Sequence, residues 1–182
     1  MCRFYGIQLH QLLANEGYDY LMRLDDDGFI KSPLPLNVFE LMETKGFVYG
    51  YRRINWGLHE LADQTLIPAT LQYIQSRKVN LACDPTDITT QHFYNNLFVT
   101  KLSFWTRPDV QDYLKYIDES GGIWRYSWGD SLIMALAVKM FARSQDIVQL
   151  VGADYEHASH HLRIKPANAD WRFRKELDEI PF

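Results

Sequence analysis

The hydrophobic pattern breaks the chain into short blocks that switch between a period of two and a helical period. YDYLMRLDDDGFIKSP (Tyr18–Pro33) is an aromatic and apolar run that ends in three consecutive carboxylates, a glycine, and a short stretch closed by proline. It predicts a buried strand whose C-terminal end carries Asp25, Asp26 and Asp27. GFVYGY (Gly46–Tyr51) sets aromatic and β-branched residues between glycines and predicts a second strand, with Arg52 and Arg53 at its end. Leu97–Thr100 and Ile147–Gly152 predict two more.

Helical patterns lie between these strands. Leu9, Leu12 and Leu13 share one helical face before Gly17, and Asn37–Thr44 is a short helix after Pro33 and Pro35. Thr65–Arg77 is a helix with Pro68 in its first turn, where a missing N–H is tolerated. Asp109–Ser120 places Val110, Tyr113, Leu114 and Ile117 on one face, and Gly121 and Gly122 end it. Asp130–Phe141 is apolar on almost every side, which predicts a helix buried against a sheet with Asp130 at or near its N-cap. Asn55–Asp63, Asn80–Thr90, Ser103–Pro108 and the histidine-rich Tyr155–His161 read as connections. The order predicts an α/β fold with a mixed sheet flanked by helices. Residues 1–164 form one domain, and 165–182, which alternates charge with scattered aromatics, is a peripheral tail.

Composition narrows the function. The chain has 182 residues, 47% hydrophobic and 23% charged, which supports one domain with a real core and argues against disorder. Its net charge of -4 and lack of a basic block argue against a nucleic-acid partner. No apolar stretch approaches the length of a membrane span, and MCRFYGIQLHQ lacks a signal-peptide pattern. The two cysteines, Cys2 and Cys83, have no metal-ligand spacing.

The candidate chemistry gathers at element ends. Adjacent carboxylates repel one another, so the Asp25–Asp27 triplet suits a divalent cation; DDG is equally a tight turn. If the strand continues, Asp25 and Asp27 point one way and Asp26 the other. His157 can add an imidazole, and a mixed Asp and His set suits Mn²⁺ better than Ca²⁺. Arg52 and Arg53 read either as solvated surface cations or as groups facing a phosphate. Asp130 caps its helix or, following Trp128 and Gly129, approaches a ligand. The chain contains no P-loop, GxGxxG, HExxH or GxSxG motif.

MCRFYG, YDYLMRLDDDGFIKSP, GFVYGY, TLIPATL, HFYNNLFVTKLSFW, YLKYIDESGGIWRYSWGDSLIMALAVKMF and GADYEHASHH occur in this order between Met1 and His161. In that ordered combination the chain resembles the fungal glycolipid 2-alpha-mannosyltransferase family. The resemblance implies a GT-A fold, a GDP-mannose donor, Mn²⁺ or another divalent cation, and a mannosylated glycan or glycoprotein acceptor. It implies retaining transfer in α-1,2 linkage by proteins of the Golgi membrane. Residues 1–164 would then be a partial catalytic domain, lacking the N-terminal nucleotide-binding strands. By the same resemblance Asp25, Asp27 and His157 hold the metal, with Asp25 and Asp27 also on the donor side. Arg3 contacts phosphate or acceptor, and Asp130 lies near the reacting sugar. The family's glutamate after the Asn of this motif falls here on Phe98, so Asn96 is the neighbouring candidate for a catalytic role. Trp105, Trp124, Tyr126 and Trp128 are candidates for an acceptor groove. A non-catalytic carbohydrate-binding or structural relative is the alternative, with Phe98 as its mark.

Overall fold

The computed structural model describes residues 1–34, 37–57, 60–152 and 154–157 in full, and 162–164 as backbone. The tail 165–182, His160 and His161 lie outside the described residues. In chain order the elements are α1 (Leu9–Asn15), entered through a wide π-helical turn at Phe4–Gln8, β1 (Tyr20–Leu24), β2 (Gly28–Ile30), α2 (Val38–Lys45), β3 (Tyr49–Tyr51) and β4 (Ile54–Trp56). There follow α3 (Glu60–Arg77), β5 (Gln91–Phe93), β6 (Leu97–Lys101), α4 (Leu102–Trp105), α5 (Pro108–Ser120) and α6 (Gly122–Arg125). The last are α7 (Asp130–Phe141), β7 (Ile147–Gln149), β8 (Tyr155–His157) and β9 (Leu162–Ile164).

The main sheet has the order β1-β6-β3-β7, with only the β3–β7 pair parallel. Alternation along β6 explains its two covered faces. Val99 joins Val38, Leu41 and Met42 of α2 on one side, while Phe98 joins Tyr49, Phe93, Trp105 and the helices α3, α5 and α7 on the other. Every residue from Ser131 to Phe141 in α7 is buried, as its all-round apolarity requires. Lys139 is accommodated there because its Nζ donates to the carbonyls of Asp87 and Gln91 at 2.9 and 2.6 Å. Burial draws its pKa down to about 8. The mixed sheet between helix layers matches the expected fold class. Among the described residues no helix is long and apolar enough to cross a membrane.

Several local expectations fail for identifiable reasons. Among the described residues β1 is an edge strand, so Tyr20–Arg23 are half-buried and Leu24 is exposed rather than buried. α3 begins at Glu60, which puts Pro68 in its interior. The Asn55–Asp63 connection starts inside β4, because Ile54–Trp56 finds a partner in β5, and ends inside α3. The predicted turn at Ser103–Pro108 begins with the single helical turn α4, and residues 155–157 of the histidine-rich loop form β8, paired with β2. Arg52 is buried at 4% exposure and is not a solvated cation.

Two packing sites set checkable energetics. His10 is fully buried, stacks on Trp105 at 4.2 Å, and neither ring nitrogen has a hydrogen-bond partner among the described residues. Burial, then the charge of Arg23, draws its pKa from 6.5 to about 3. Between those two values the unfolded chain takes up a proton that the folded chain refuses, so stability falls as pH drops from about 6.5 to about 3. His10→Phe should flatten that part of the stability profile, as read by urea unfolding at stepped pH. Gly122 lies against the Trp128 ring, where an added Cβ would fall 2.4 Å from ring carbons. Gly122→Ala should therefore cost about 1–3 kcal/mol in the same unfolding assay.

Candidate functional site

The acidic triplet is both a turn and a cluster. Gly28 N–H donates to the Asp25 carbonyl at 2.9 Å and closes the bend from β1 into β2. Asp26 is exposed in that bend. β2 then pairs with β8 in a register that sets Gly28 opposite His157. This pairing, not strand alternation, brings Asp27 to the imidazole. His157 Nε2 lies 2.9 Å from Asp27 Oδ1 and 3.9 Å from Asp25 Oδ2. Asp25, Asp27 and His157 each offer one donor atom, all within 4.8 Å of one another.

That donor set fits a divalent cation. Donors that sit about 2.1 Å from an ion lie within about 4.2 Å of each other, so small side-chain shifts would close the site. Two carboxylates and one imidazole are hard and borderline donors of the kind that Mn²⁺ takes, and three protein ligands leave positions for substrate oxygens. His157 is 3% exposed and the two carboxylates are half-buried, so the cluster opens to solvent on the aspartate side.

Asn96 ties Asp25 and His157 together. Its Nδ2 donates to Asp25 Oδ2 at 2.5 Å and lies 2.7 Å from His157 Nε2. Its carbonyl accepts from the Asp25 N–H at 3.1 Å, just past the last β1–β6 pair. Asn95 turns to the other side and donates to Asp130 Oδ2 at 2.9 Å.

Asp130 is the first residue of α7, one past the N-cap Gly129, and its carboxylate accepts from Arg23 and Asn95. The expectation of a capping role fails because its carboxylate is held elsewhere. Arg23 donates to Asp130 Oδ2 at 2.7 Å through one terminal nitrogen and to Asp25 Oδ1 at 2.9 Å through Nε. Burial works against the Arg23 charge, but the bonds and charges of Asp130 and then Asp25 prevail and raise its pKa. The guanidinium also lies 4.5 Å from the centre of the Tyr5 ring, a cation–π contact. Gly6 lets the N-terminal helix press against Asp130, where a Cβ would fall 3.1 Å from the aspartate Cβ.

Of the residues singled out in the sequence, Asp25, Asp27, His157, Asn96 and Asp130 form one connected group. Arg3 stands apart from it, in a bidentate pair with Asp118 at 2.6 and 2.8 Å. Trp105 and Trp128 are core residues, Tyr126 is half-buried against the core, and Trp124 is 72% exposed. Phe98 is 1% exposed and stacks on Tyr49 at 5.5 Å, so the position is part of the core. Arg23, Asn95 and Tyr5 were not foreseen. Arg23 did carry a signal, because it stands two residues before Asp25 and shares its face of the strand.

A family profile described as Glycolipid 2-alpha-mannosyltransferase matches residues 1–171. Glycolipid 2-alpha-mannosyltransferase 2 of Candida albicans is 28% identical over 187 residues, covering 95% of this chain and 39% of that protein. The crystal structure of core-mannan synthase A from Aspergillus fumigatus, in its Mn/GDP form, superposes with a TM-score of 0.76 at 21% identity, over 87% of this chain and 47% of that one. The mannosyltransferase Ktr4p of Saccharomyces cerevisiae, in complex with GDP, gives 0.77 at 24% identity, over 87% and 44%. At these identities the two structures establish the fold, a GT-A-like one. The chain spans about two fifths of the length of the curated relatives it matches.

The Arg23 bridge is the joint between β1 and α7. Replacing it with methionine leaves Asp25 and Asp130 facing each other without a cation. Arg23→Met should lower stability by about 1.5–3 kcal/mol, the usual worth of hydrogen bonds to charged groups. Chemical denaturation of parent and variant measures this, and an unchanged midpoint would show that solvent already screens the pair.

Proposed function

The chain belongs to the glycolipid 2-alpha-mannosyltransferase family, and we propose that it serves mannosyl transfer from GDP-mannose to a mannosylated glycan or glycoprotein. In this reading transfer proceeds in α-1,2 linkage with retention of configuration, and the whole protein works as a Golgi mannosyltransferase. The observation that carries the proposal is the Asp25, Asp27 and His157 cluster at the end of an α/β sheet edge strand. Open α/β sheets take their ligands at such ends.

A divalent ion held there would neutralise the diphosphate as negative charge develops on it during departure. Asn96 fixes the relative positions of Asp25 and His157. Arg23 and Asn95 fix Asp130, whose carboxylate is then a preorganised acceptor for a sugar hydroxyl. Phe98, buried against Tyr49, offers no nucleophile. Retention is therefore assigned to a front-face transfer. The bond from the anomeric carbon to the diphosphate oxygen breaks, and the bond to the acceptor oxygen forms on the same face. The acceptor proton passes to the departing diphosphate oxygen.

Phe98 also favours a second reading, a non-catalytic relative that binds carbohydrate or is only structural. The two differ in one product: only the enzyme forms a new mannosyl linkage when donor and acceptor are supplied together.

Calorimetric titration of Mn²⁺, then GDP, into the full chain tests the site. Manganese-dependent GDP binding is expected in the parent. Asp25→Ala and His157→Ala should each weaken Mn²⁺ binding by at least about 10–100-fold, the range seen for loss of a supporting partner. A folded chain that takes up Mn²⁺ equally well with and without Asp25 would refute the metal assignment.

A further inference from the structure

Arg53 is a half-buried cation immediately before β4. It stands opposite Tyr94 one step beyond the Ile54–Phe93 pair of β4 and β5, and the Tyr94 N–H donates to its carbonyl at 2.8 Å. Directly opposed residues of an antiparallel pair project to the same side. Tyr94 is therefore the reference point for where Arg53 can reach. Its ring meets His157 edge-on with centroids 5.9 Å apart, and Asn95 and Asn96, which follow it, bond to Asp130 and Asp25. Burial raises the Tyr94 pKa, and its phenol feels the charges of Arg53, Asp25 and Asp27.

The neighbouring arginines are already committed. Arg23 is bonded to Asp25 and Asp130, Arg3 is paired with Asp118, and Arg52 is buried and feels the charge of Asp154. Arg53 forms no ion pair or side-chain hydrogen bond among the described residues. The charge balance gives it a role. Asp25, Asp27 and Asp130 set three carboxylates against the single cation of Arg23, so a divalent ion only brings the cluster to neutrality. The charge of a diphosphate would remain unmatched.

We propose that Arg53 binds the diphosphate of the nucleotide-sugar donor beside the metal cluster and stabilises it as it departs. A planar guanidinium suits that task because it grips two phosphate oxygens at once. The inference rests on the proposed function and adds to it the second positive group of the donor site, from a residue pair whose other member, Arg52, is buried.

The probe is inorganic pyrophosphate, titrated into the full chain in the presence of Mn²⁺, with Mn²⁺ alone titrated first. Arg53→Gln should leave Mn²⁺ affinity within about twofold of the parent and weaken pyrophosphate binding by about tenfold, one charge-assisted contact. Arg53→Lys should recover part of that loss, and Lys115→Gln, on the exposed side of α5, should change neither affinity. Thermal unfolding of each variant identifies any that fails to fold. Pyrophosphate binding by a folded Arg53→Gln variant within about twofold of the parent overturns the assignment and leaves the metal site standing. A parent that binds Mn²⁺ but no pyrophosphate also overturns it. A parent that binds no Mn²⁺ removes the proposed function and this inference together.

Discussion

Arg23 is the interaction on which the site depends. It is a single cation between two carboxylates, one after the edge strand β1 and the other at the start of the buried helix α7. Without it Asp25 and Asp130 would repel each other across a half-buried gap, and low local dielectric would magnify that repulsion. With it, the edge strand and the core helix are held in one arrangement, and Tyr5 and Gly6 bring the N-terminal helix against the same joint. The bridge also leaves the second oxygen of Asp25 turned toward Asn96 and His157. One side chain thus links the stability of the sheet–helix interface to the aim of the ligand cluster.

The core beneath the site explains why Phe98 is tolerated there. β6 is a central strand covered on both sides, and an aromatic at its inward position packs on Tyr49 and extends the cluster that includes Phe93 and Trp105. A carboxylate in that packing would need a partner, because burying an unpaired charge is costly. Phe98 therefore extends the core and puts no polar group at its position. The polar work shifts to Asn95 and Asn96, which sit where the strand pairing has ended and their amides are free to turn to Asp130 and Asp25.

Much of the architecture was legible because periodicity survives in short blocks. The helix over Asp130–Phe141 followed from apolarity alone, and the face of α5 followed from Val110, Tyr113, Leu114 and Ile117. Boundaries were less legible. Pro68 suggested a helix start, yet the turns before it continue the helix from Glu60. Tyr155–His157 looked like a loop because histidines and glutamate carry no strand signal, and only pairing with β2 makes it a strand.

The sequence by itself determined the candidate donor residues, the presence of a mixed α/β sheet, and the order of motifs that marks the family. It also placed Asp25, Asp27 and His157 as partners, through chemistry and resemblance rather than geometry. Tertiary structure alone decided how they meet, because the turn at Asp25–Gly28 breaks the alternation that local reasoning relies on and the β2–β8 register replaces it. It alone decided that Asp130 is bound by Arg23 and Asn95 instead of capping its helix, and that Arg52 is buried while Arg53 is half-buried opposite Tyr94. The physical reason is range. Propensity and periodicity act over a few residues, whereas ion pairs, strand register and burial depend on which distant segments are brought into contact, and a sequence does not print those distances.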